Sequence, residues 1–123
     1  MSAIRFIDHQ EKQILLMDFS NAGTTAEIIR TVEEIKRIVE IHQAQSILAL
    51  VDFTGMKIDK ERTMIIKDMA AHNRPYIKFI ALVGLGFIRS VAFRMMLFLS
   101  GRKNHRVFGN RDMALGWLAG RCQ

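Results

Sequence analysis

A chain of 123 residues, half of them hydrophobic and about a quarter charged, is long enough to bury one core and too apolar to stay disordered. Its 18 basic and 12 acidic side chains leave a net charge of +6, which favours phosphate, nucleic acid, anionic lipid or an acidic protein as partner over a cationic one. One proline, Pro75, and eight glycines offer no linker, and no internal repeat is read, so a single domain over 1–123 is expected.

Ile4 and Phe6 alternate with Arg5, and Ile14, Leu15, Leu16 and Met17 follow the polar stretch 8–12. Two strands joined as a hairpin are predicted. Ser20, Asn21 and Gly23 close the second strand, and Thr24 with Glu27 three residues on forms a capping box that opens a helix to about Gln43. Ile28, Val32, Ile35 and Val39 give that helix a buried stripe, while Arg30 with Glu34, Glu33 with Arg37 and Lys36 with Glu40 stand one turn apart for ion pairing on its exposed side.

The run Ile47-Leu48-Ala49-Leu50-Val51 predicts a strand covered on both faces, in the middle of a sheet. Gly55 turns the chain and Asp59 caps a second helix through Met64, Ile65 and Met69 to about Asn73, which Pro75 stops. A second buried strand over 77–83 leads to the turn Gly84-Leu85-Gly86, a helix over 87–99 ended by Gly101, a short strand over 106–108, and a last helix capped by Asn110. The order β-β-α-β-α-β-α-β-α makes the fold α/β, with a mixed, mostly parallel sheet and an N-terminal antiparallel hairpin.

The segment 77–99 approaches the length of a membrane span, but Lys78, Arg89 and Arg94 interrupt it, and each arginine would cost about 2.5 to 3.5 kcal/mol to insert. Arg5, Asp8, His9, Glu11 and Lys12 occupy the place of a signal peptide's apolar run. Cys122 is the only cysteine, so an internal disulfide is excluded and the cytoplasm is the expected compartment.

His9, His42, His72 and His105 fall in separate elements without the one-turn spacing of a shared metal, so no metal and no cofactor are expected. Ser46, Ser90 and Ser100 lack a nucleophile elbow and Cys122 lacks a rigid setting, so no catalytic residue is assigned. Gly84 and Gly86 stand where a dinucleotide fingerprint puts its first glycines, but its third position is Arg89. Parallel sheets bind ligands beyond their strand carboxyl ends, and there Asp52, Thr54, Lys57, Gly84, Gly86 and Asn110 would gather as a ligand edge.

On the predicted helix 87–99, Phe87, Val91, Met95 and Phe98 mark a core side. Arg89, Phe93, Met96 and Leu97 fall largely opposite, with Arg94 beside them. Either this side is a contact surface or another helix or a second copy covers it. Charge accentuates the choice: residues 1–68 carry nine basic and eleven acidic side chains, residues 69–123 nine basic and one acidic, Asp112.

Leu50-Val51-Asp52-Phe53-Thr54-Gly55-Met56-Lys57-Ile58-Asp59, Phe79-Ile80-Ala81-Leu82-Val83-Gly84, and Arg106-Val107-Phe108 with Asp112-Met113-Ala114-Leu115-Gly116-Trp117-Leu118 resemble the SpoIIAA-like superfamily. That superfamily contains the STAS domains and bacterial stand-alone STAS-like proteins. The resemblance spans about 46–119 and implies a regulatory, protein-docking domain. It departs from the phosphorylation switches at Lys60, which stands where they carry serine, and Thr63 is the nearest substitute, read as exposed on its helix. The expectation is a non-enzymatic interaction module. Binding of an apolar ligand, lipid or anionic membrane through the helix 87–99 is the alternative, and nucleic acid the weaker one.

Overall fold

A computed structural model describes residues 3–57, 59–85 and 104–120. Five strands form one mixed sheet in the order β1-β2-β3-β4-β5: β1 Ile4–His9, β2 Lys12–Asp18, β3 Ile47–Asp52, β4 Ile77–Val83 and β5 His105–Phe108. β1 runs antiparallel to β2, and the remaining neighbours are parallel. The described helices are α1 Thr25–Val39, α2 Lys60–Asn73 and α3 Arg111–Ala119. The predicted helix 87–99, with Arg89, Phe93, Arg94, Met96 and Leu97, lies outside the described residues.

Alternation along the strands divides the core into two layers. Leu15, Met17, Ala49, Val51 and Leu82 meet α1 and α2 on one face, whereas Ile14, Leu16, Leu50, Ala81 and Val83 meet Ala114 and Leu118 of α3 on the other. β3 is the middle strand, which is why it reads as a continuous apolar run. Trp117 sits half-buried at the edge of the second layer, edge-on to Phe79 with ring centroids 5.8 Å apart and tilted against Phe108 at 5.6 Å.

α1 follows its pattern: Ile28, Val32, Ile35 and Val39 are buried, and the Thr24 side chain accepts a bond from the Glu27 amide. Each of those four side chains contributes about 1.5 to 3 kcal/mol on burial, far more than an exposed ion pair at about 0 to 1. The helix ends at Val39 and not near Gln43, because Glu40 already caps it. The expected pair of Lys36 with Glu40 is not made. Lys36 reaches Asp68 of α2 at 2.6 Å, and Glu40 meets His72 at 3.1 Å, so both tie the two helices together.

The hairpin is longer than the apolar pattern suggested, because His9 pairs with Lys12 across a two-residue turn. Gln10 and Glu11 take that turn with φ of 50° and 68°, the left-handed pair required by the twist of a tight hairpin but usually met by Asn-Gly. Thr63, read as an exposed stand-in for the missing serine, is in fact buried on α2, and its hydroxyl has no hydrogen-bond partner among the described residues. Residue 63 in a helix starting at Lys60 shares the core side with Ile66 and Met69, three and six positions on.

Candidate functional site

The four parallel strands β2 to β5 deliver their carboxyl ends to one edge of the sheet. There β2 and β3 carry the same five-residue pattern, Leu16-Met17-Asp18-Phe19-Ser20 and Leu50-Val51-Asp52-Phe53-Thr54, in matched register, with Leu16 beside Leu50, Met17 beside Val51 and Asp18 beside Asp52. This short echo corrects the reading of a chain without internal repetition. The rings after each aspartate, Phe19 and Phe53, stack on the face covered by α1 and α2 with centroids 5.7 Å apart and planes 9° from parallel.

Each aspartate closes the same local turn. Asp18 Oδ1 accepts from the Ser20 amide at 2.9 Å and the Ser20 hydroxyl at 2.5 Å, and Asp52 Oδ1 accepts from the Thr54 amide at 2.9 Å and the Thr54 hydroxyl at 2.6 Å. An aspartate that bonds the backbone two residues on ends a strand in a turn and fixes its own rotamer. The second oxygens are thereby aimed at the face that α3 covers.

Arg111, the first residue of α3, fills the space between them. Its Nε donates to Asp52 Oδ2 at 2.6 Å, and its Nη2 lies 3.1 Å from Asp18 Oδ2. Asp52 is 4% exposed, and the guanidinium beside it has forked donors that suit two carboxylates at once. Burial pushes the Asp18 carboxyl up, but the bonds from Ser20 and the Arg111 charge outweigh it and hold it below the ordinary aspartate value. Burial works to lower the Arg111 guanidinium, and its bonds to Asp52 and Asp18 raise it in spite of that.

Gly84 completes the edge from β4. Its φ is +92°, and a Cβ there would stand 2.3 Å from the Thr54 nitrogen and 2.7 Å from its hydroxyl. The backbone of the β4 exit is thus pressed against the Asp52 turn, a contact only glycine permits.

Of the six residues expected at this edge, Asp52, Thr54 and Gly84 converge. Asn110 stands beside Arg111, where its side-chain oxygen caps α3 by accepting from the Met113 amide at 2.9 Å. Lys57 is exposed and faces Asp59, and Gly86 lies outside the described residues. Asp18, Ser20 and Arg111 were not foreseen. The repeated Leu-x-Asp-Phe-Ser/Thr pattern was the available signal for the first two, whereas Arg111 comes from 59 positions beyond Asp52. Among the described residues the edge is filled by its own side chains, and the Ser20 and Thr54 amides there are engaged with Asp18 and Asp52.

A shallow groove of about 270 Å³ runs between α1 and α2, lined by Ile29, Val32, Glu33, Lys36, Met64, Ile65 and Asp68. Ile29 and Met64 are 44% and 62% exposed, large apolar side chains left in water on neighbouring helices. Among the described residues no three His, Cys, Asp or Glu side chains converge as a metal site would require, and no helix is long and apolar enough to cross a membrane. No family model, curated protein or solved structure matches this chain significantly.

Proposed function

We propose that this chain is a non-enzymatic regulatory module of STAS-like type that works by docking another protein. The observation that carries the proposal is the strand edge occupied, among the described residues, by its own side chains. In open α/β sheets a substrate or cofactor enters beyond the strand carboxyl ends, but here Arg111 occupies that place with Asp18 and Asp52 at its two sides. A ligand would have to displace a guanidinium from a buried carboxylate. A partner that binds side chains already in water pays no such penalty.

The antiparallel hairpin followed by parallel strands, with α1 between β2 and β3 and α2 between β3 and β4, supports this reading at the level of a mixed α/β sheet. Lys60 stands exposed at the first position of α2, directly after the Asp59 cap. Its ammonium has no hydroxyl to phosphorylate, so on this reading docking is regulated without the serine switch that STAS proteins carry there.

The docking surface is assigned to Arg89, Phe93, Arg94, Met96 and Leu97 of the predicted helix. Affinity purification from the source organism with Phe93→Glu beside the unaltered chain tests it, with circular dichroism confirming the fold of both. A protein captured by the unaltered chain and lost from a folded variant supports docking. Binding to anionic vesicles that the same variant abolishes would replace it with the lipid reading. An unfolded variant would return Phe93 to the core and refute the assigned surface.

A further inference from the structure

We draw no further inference here: the strongest candidate, the shallow groove between α1 and α2 flanked by the exposed Ile29 and Met64, carries nothing because its rim mixes Glu33, Lys36 and Asp68 without a dominant charge and nothing in the structure shows what covers it.

Discussion

Replacing Arg111 by methionine keeps an apolar stem of similar length and removes the cation that, among the described residues, bridges Asp18 and Asp52. Breaking a buried pair by deleting one partner costs about 3 to 5 kcal/mol, and an exposed pair about 0 to 1. This pair lies between those limits. Asp52 is 4% exposed, whereas the Arg111 side chain is 35% exposed, and Asp52 keeps both bonds from Thr54, so water can reach the vacated place. The expected loss is about 2 to 3 kcal/mol at pH 7, read from urea denaturation. Adding Asp52→Asn removes the stranded charge, and the double variant should regain about half of the loss.

The pH dependence has a definite sign. Asp18 has a lowered folded pKa, so its contribution is fully present above the ordinary aspartate value, about pH 4, and is lost as pH falls through the lowered one. The difference between the unaltered chain and Arg111→Met should therefore narrow below about pH 4. A loss under about 0.5 kcal/mol at pH 7, within the range of an ordinary surface substitution, would refute the bridge as a structural element. So would a double variant no more stable than Arg111→Met alone.

Gly84→Ala should destabilise by at least about 2 kcal/mol, because its Cβ meets the Thr54 backbone and its φ is left-handed. Gly116→Ala at an exposed position of α3, where a Cβ meets nothing within 4 Å, should stabilise by about 0.5 to 1 kcal/mol, and thermal denaturation of the two variants should move in opposite directions. Glu11→Gly relieves a φ of 68° in the hairpin turn and should raise stability by about 0.5 to 1 kcal/mol, whereas an unchanged or lower midpoint would contradict the strain. Asp59→Ala should lower the denaturation midpoint at pH 7, since its carboxylate accepts from the Arg62 amide at 2.8 Å. That amide bond foremost, with the Arg62 charge, holds Asp59 below the ordinary aspartate value, so the effect should fade as pH falls through the lowered pKa.

Local signals were the legible part of the fold. The stripe of α1, the Thr24, Asp59 and Asn110 caps, and the bounds of β4 all follow from side chains within a few positions of one another. The hairpin turn was less legible, because Gln10 and Glu11 adopt left-handed backbone without the glycine or asparagine that usually announces it. Half of the polar edge could be read from the rule that ligand residues follow parallel strands. The other half needed pairing: Asp18 becomes Asp52's neighbour only through the β2–β3 register, and Arg111 reaches both only after α3 folds back over the sheet.

Native mass spectrometry of the protein purified gently from its own cells tests the central claim most directly, because it weighs whatever the closed edge or the outer surface holds. The account predicts the chain bound to a second protein, a complex lost with Phe93→Glu and retained with Thr54→Val. A small-molecule adduct on the chain that survives Phe93→Glu and disappears with Thr54→Val would contradict it, since the ligand would then occupy the strand edge that Arg111 is held to close.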